Sequence, residues 1–156
     1  MRHIVEIRDA TPADVEHVAR NLRDADFLEL SIAQPEDPRV AVRSCLDYSV
    51  WTKVVLVDGV PAVIYGVSPS DVEECGSPWM VGTDDIMKIP HQFVTGSRRE
   101  LERMQSEFSF LYNQVHCKNK ISISWLRWLG FSVDDERPTG PLNQFFNFWI
   151  GEPRHV

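Results

Sequence analysis

The side chains of this 156-residue chain best suited to moving protons are His116, with Cys117 beside it, and the adjacent carboxylates Asp84 and Asp85. A histidine at its ordinary pKa of about 6.5 exchanges a proton near neutral pH. His116 therefore reads either as a general base or as a strand-end histidine whose nitrogens are satisfied locally. Asp84 and Asp85 read either as a base or as the acidic first turn of a short helix. His116 and Cys117 are neighbours in an expected strand, where successive side chains point to opposite faces, so they do not make a nucleophile pair. Cys45, Cys75 and Cys117 are odd in number and widely spaced, which fits neither a disulfide framework nor a metal site.

The elements that must position these groups follow from hydrophobic spacing and from turn residues. Ile4 to Arg8 alternates as a half-buried strand. Thr11 and Pro12 open a helix reaching about Arg23, and Asp37 and Pro38 open a second one ending near Tyr48. Two β-branched runs, Lys53 to Val57 and Val60 to Val67, flank Asp58-Gly59 and predict a hairpin. Ser68 to Pro78 reads as a loop, and Trp79 to Thr83 as a short strand. Thr83 caps a turn through Ile86. A longer helix then opens at Pro90, or at Thr95 or Ser97 if the helix cost of Gly96 decides. Leu111 to Cys117 is a strand, Asn119 to Leu129 a helix closed by Gly130, and Asn143 to Ile150 a last strand.

Hydrophobic residues make up 43% of the chain, with five Trp and eight Phe, enough apolar surface to sustain one domain over residues 1–156. Sixteen Lys and Arg against 23 Asp and Glu give a formal net charge of -7, which repels nucleic-acid backbones and anionic membranes. Met1 to Ala10 has no basic head followed by an apolar run, and no stretch reaches about 18 apolar residues. A cytoplasmic protein is the expectation.

Asn119-Lys120-Ile121-Ser122-Ile123-Ser124-Trp125-Leu126-Arg127-Trp128-Leu129-Gly130-Phe131 resembles, gap for gap, the motif of the GCN5-related N-acetyltransferase (GNAT) superfamily that starts at an Asn and ends in Leu-Gly-Phe. With Pro78-Trp79-Met80-Val81-Gly82-Thr83-Asp84 and Ser97-Arg98-Arg99, the chain is similar to a phage branch of that superfamily, the family that includes the internal virion protein A of T7-like phages. The resemblance implies a three-layer α+β fold. Its mixed, mostly antiparallel sheet would have six or seven strands and about four helices, with a V-shaped split between two parallel central strands.

The resemblance also implies an acetyl-CoA (or CoA) site. Pantetheine would lie on backbone groups of Met80, Val81 and Gly82, and the pyrophosphate near Gly96, Ser97 and Arg98, with Asn119 at the cofactor helix. His116 or Asp84 would serve the chemistry. The acceptor would be an amine, on a small molecule or a protein lysine, and a phage or host protein would be a partner in the infected cytoplasm or the virion. Two positions depart from the family pattern. Gln92 to Arg98 carries the phosphate-loop glycine one place off, and Leu126 stands where a proton-donating Tyr is frequent. The second reading is therefore a virion or assembly protein that retains the fold, and the CoA groove with it, without catalysis.

Acidic runs at Asp71-Val72-Glu73-Glu74 and Asp134-Asp135-Glu136 read as solvated loops, or as an entrance favouring cations. Trp125 and Trp128, three apart on one helix, read as core and as a partly exposed partner surface.

Overall fold

A computed structural model describes residues 2–152. Its strands are β1 (Val5–Asp9), β2 (Trp51–Val57), β3 (Val60–Pro69), β4 (Cys75–Gly82), β5 (Phe110–His116), β6 (Ser132–Val133) and β7 (Phe145–Gly151). Its helices are α1 (Pro12–Arg20), α2 (Asp24–Ala33), α3 (Pro38–Arg43), α4 (Cys45–Tyr48), α5 (Pro90–Glu107) and α6 (Lys120–Leu129). The strand order β1-β2-β3-β4-β5-β7-β6 is mostly antiparallel, with β4 and β5 parallel. The expected α+β class and strand number hold. Among the described residues, no helix is long and apolar enough to cross a membrane.

The described residues form two compact units, one containing residues 2–68 with Trp79–Phe93, the other Pro69–Pro78 with residues 94–152. In the first unit β1 pairs antiparallel with β2, and β2 with β3, across a bulge at Val55/Leu56. Asp58 and Gly59 both adopt positive φ, the conformation a two-residue hairpin turn requires, so the Asp-Gly signal succeeds. Val15, Val18 and Ala19 of α1, Val42, Cys45, Val54, Leu56, Ile64 and Val81 form its core, with Leu30 and Trp79 packed against them. Thr11 and Asp14 make a reciprocal capping box at the start of α1, as Thr11-Pro12 foreshadowed.

Two features of this unit were not expected. Helix α2 escapes the hydrophobic pattern because its apolar residues do not gather on one face, and Phe27 and Leu28 are exposed. The single helix foreseen from Asp37 to Tyr48 breaks at Ser44, whose Oγ donates to the Val40 carbonyl and competes with the helical ladder.

In the second unit β4 starts at Cys75, four residues ahead of the expected strand, because the presumed loop is a tight turn. The Ser70 N–H donates to the Cys75 carbonyl, and the Cys75 N–H to the Val72 carbonyl. β5 pairs with β7 along its whole length, from Phe110↔Gly151 to His116↔Phe145, and the two-residue β6 closes that edge. The buried side chains Leu101 and Met104 of α5, Ile123 and Leu126 of α6, Leu111, Val115, Phe131 and Phe148 supply the core of this unit. The Phe131 and Phe148 rings meet edge to face at 5.2 Å. Gly130 adopts φ 106° and closes α6, as Leu-Gly-Phe foretold.

Candidate functional site

Met80, Val81 and Gly82 end β4 within the first unit; Met80 is half-buried, Val81 and Gly82 are buried. The Gly82 N–H donates to Asp26 Oδ2 at 2.9 Å, and its carbonyl accepts the Arg23 N–H at 2.9 Å. Both backbone groups of Gly82 thus have partners on the α1–α2 connection and α2. Asp26, only 6% exposed, is offset by its own neighbour: Arg23 Nε and Nη2 donate to its two oxygens at 2.9 and 3.0 Å. A Cβ at position 82 would meet the Ala62 carbonyl oxygen at 3.0 Å, so glycine lets β3 and the end of β4 approach closely.

Beyond Gly82, Thr83 caps a 3-10 helix over Asp84–Lys88, its Oγ1 accepting the Asp85 N–H at 3.2 Å. Asp84 is exposed in the first turn, whereas Asp85 pairs with Lys88 at 3.2 Å. Of the two carboxylates, Asp84 is the one presented to solvent.

Within the second unit, the parallel β4–β5 ladder joins Cys75 to Phe110 and Gly76 to Leu111. Pro78, which has no N–H, stands two residues after the last pair, and its carbonyl accepts from the side-chain amide of Asn113 at 2.7 Å. A side chain thus takes over where a ladder donor would have to be supplied.

The structure locates Gly96, Ser97 and Arg98 differently from the expectation of a phosphate loop opening a helix. α5 begins at Pro90 and runs unbroken through Gly96, so these residues lie in its interior, where N–H groups turn to carbonyls one turn back. The expected alternative start at Thr95 or Ser97 is overturned. The side chains of Ser97 and Arg98 are committed to α6: Trp125 Nε1 donates to Ser97 Oγ at 3.1 Å, and Arg98 donates to the Trp128 carbonyl at 3.1 Å. The Arg98 guanidinium also lies 4.2 Å from the centre of the Trp128 ring. Trp128 is nevertheless 48% exposed, as the spacing suggested.

His116, 5% exposed, ends β5 with both ring nitrogens engaged. Nδ1 accepts the Lys118 N–H at 3.1 Å, which puts the proton of the neutral ring on Nε2, 3.2 Å from Gln144 Oε1. Its ring stands edge-on to Phe145 at 5.4 Å. Of the two roles foreseen for His116, these contacts are those of a locally satisfied histidine, with Nδ1 accepting from the backbone. Asn119 follows in the same turn, its N–H donating to the His116 carbonyl at 3.0 Å and its Oδ1 capping α6 through the Ser122 N–H at 3.3 Å. Leu126 is buried, a core side chain with no proton to give.

The two acidic runs differ. Asp71, Val72 and Glu73 are exposed. Asp134 is held by Arg137 at 2.9 Å and Asp135 by Arg127 at 3.1 Å, so two of the three carboxylates of that cluster have a cation beside them. Sequence reasoning missed Arg23, Asp26 and Asn113. The first two carry a legible signal, an Arg and an Asp three apart; Asn113 carries none.

No protein-family model and no curated protein matches the sequence. Solved structures match it closely in fold. A GNAT-family acetyltransferase from Bacillus anthracis superposes with a TM-score of 0.68 at 13% identity, over 96% of this chain and 98% of that one. Spermidine N-acetyltransferase from Vibrio cholerae, in complex with CoA and spermine, gives 0.70 at 10% identity over 94% and 95%. A ribosomal-protein-alanine N-acetyltransferase from Brucella melitensis gives 0.68 at 15% identity over 94% and 99%. This chain has the fold of the GNAT acetyltransferases.

Proposed function

We propose that the chain is an acyl-CoA-dependent N-acetyltransferase that transfers an acetyl group directly to an amine. The observation that carries the reading is the fold, a mostly antiparallel sheet with β4 and β5 parallel, shared with acetyltransferases of which one is in complex with CoA. Main-chain donors and acceptors of a strand end can pair with another amide-bearing chain, and the pantetheine arm is such a chain. The reading assigns that role to the main chain of Met80 and Val81, with the Gly82 N–H already given to Asp26.

In the reaction the neutral amine attacks the thioester carbonyl, a C–N bond forms, the C–S bond breaks, and CoA departs as its thiolate. One proton leaves the amine and one must reach the sulfur. Asp84, exposed and one turn past β4, is the carboxylate we assign to the first transfer, directly or through water. Leu126 supplies none, so the thiolate takes its proton from solvent. The acceptor class is a cationic amine, free or as a protein lysine, in keeping with the net charge of -7.

A second reading, a phage virion or assembly protein that retains the fold without turnover, is favoured by Leu126 and by the position of Gly96, Ser97 and Arg98 inside α5. Calorimetry and thermal unfolding with acetyl-CoA test the first reading. A ligand at 100 times its dissociation constant stabilises by about 2.7 kcal/mol, and no shift with either acetyl-CoA or CoA would sink it. Binding without release of free CoA thiol across a panel of amines would support the second.

A further inference from the structure

The outer edge of β1 carries a charge pattern that complements itself. Ala10 donates to the Thr52 carbonyl and Asp58 to the Ile4 carbonyl, and both contacts fall in the register Val5↔Val57 to Asp9↔Lys53. The even-numbered residues of β1 therefore bond to β2, and the backbone groups of Val5, Ile7 and Asp9 face outward. β1 is the end strand of the sheet, contains no Pro or Gly, and is exposed from Glu6 to Asp9. The opposite end strand, β6, is only two residues long.

The geometry points to a second copy of this chain as the partner of that edge, paired antiparallel about a two-fold axis through Ile7. In that register Ile7 faces Ile7 of the second copy, and each Ile7 N–H donates to the other's carbonyl. Glu6 then faces Arg8 of the second copy, twice. These are non-hydrogen-bonded pairs, the closer kind, in which opposite charges attract most effectively. Sliding the copies by two residues in one direction sets Glu6 against Glu6, and in the other Arg8 against Arg8, so charge selects one register.

Arg8 can serve both contacts. Three of its guanidinium hydrogen bonds go to the Asp9 carbonyl and the Asp14 carboxylate, from a side chain still 45% exposed, and a guanidinium has five N–H donors. The Asp9 carbonyl already accepts from Arg8, so the central Ile7 pair carries the contact. A five-residue strand buries little area, so the dimer is reversible and depends on concentration.

Sedimentation velocity and light scattering over roughly 10 μM to 1 mM test the inference. The expected result is a monomer–dimer equilibrium, with slowed exchange of the Ile7 amide in the dimer. Glu6→Arg should raise the dissociation constant about tenfold, because two attractive cross-strand pairs become repulsive. Ile7→Pro, which removes an outward N–H and leaves the β2 ladder its donors, should abolish the dimer. Circular dichroism of each variant checks that it folds, and Ile7→Lys replaces any that does not. A monomer throughout, or a dimer indifferent to these variants, overturns the inference.

Discussion

The Asp26 carboxylate accepts the Gly82 N–H at 2.9 Å while Arg23 grips both of its oxygens, so the end of β4 is anchored to α2 by one buried side chain. Asp26→Ala removes the anchor, orphans the Gly82 N–H and leaves Arg23 without its anion. Urea unfolding should show a loss of about 2–3 kcal/mol. Asp26→Asn keeps one acceptor and should lose less. Equal stability for all three proteins would refute the assignment.

The two hydrogen bonds of the His116 ring predict a contribution to stability, which two variants separate from turnover. His116→Ala should lower the melting temperature, since the Lys118 N–H and Gln144 both lose a partner. Turnover per folded molecule, measured as release of CoA thiol, should hold. Asp84→Asn should do the reverse, preserving stability in an exposed turn while cutting turnover on the order of a hundredfold.

The α5–α6 contact predicts a spectroscopic signature. Ser97→Ala removes the hydrogen bond that the half-buried Trp125 indole donates to Ser97 and should cost about 1 kcal/mol. Arg98→Ala uncovers the Trp128 ring and should change its fluorescence while costing about 0.5–1 kcal/mol.

Acid titrates one surface network. Hydrogen bonds from Arg43, then Arg20, lower the pKa of Glu16 to about 2 from its usual 4.5. A carboxylate with a folded-state pKa below the unfolded one stabilises above the unfolded value, and loses that contribution as pH falls through the folded value. Stability should therefore decline between pH 4.5 and about 2, and Glu16→Gln should flatten that stretch of the profile.

The cysteines should differ in reactivity. Burial pushes the Cys45 thiol up to about 11, and its side chain is inaccessible, whereas Cys117 is half-buried. A thiol reagent at neutral pH should label Cys117 first, with Cys45 reacting only on unfolding.

Much of the architecture was legible wherever a local rule acts alone. Thr11-Pro12, Asp58-Gly59 and Asn119 with Gly130 each fix an element end through hydrogen bonds made within a few residues. What escaped depends on partners distant in sequence. Helix α2 is tied by Asp26 to a glycine 56 residues away, and the start of β4, set locally by the Ser70–Cys75 turn, also pairs with β5 at Phe110. The candidate site divided along the same line. The identity of the residues was readable, but whether Gly96, Ser97 and Arg98 open a helix or lie inside one was settled by where α5 begins, and a tolerated glycine hid that.

Asp58 also joins segments that become neighbours at very different moments. It forms the β2–β3 turn, while its carboxylate receives the Ile4 N–H at 2.8 Å and His3 at 2.7 Å, across more than 50 residues. Closing the hairpin is a microsecond event, whereas bringing the N-terminal strand to it requires closing a long loop. We expect β1 to dock last onto a finished hairpin. Neutralising the carboxylate in Asp58→Asn, which keeps a residue that tolerates positive φ in the turn, should then mainly speed unfolding, whereas lengthening the turn should slow folding; stopped-flow chevrons for the two variants would expose the order of assembly.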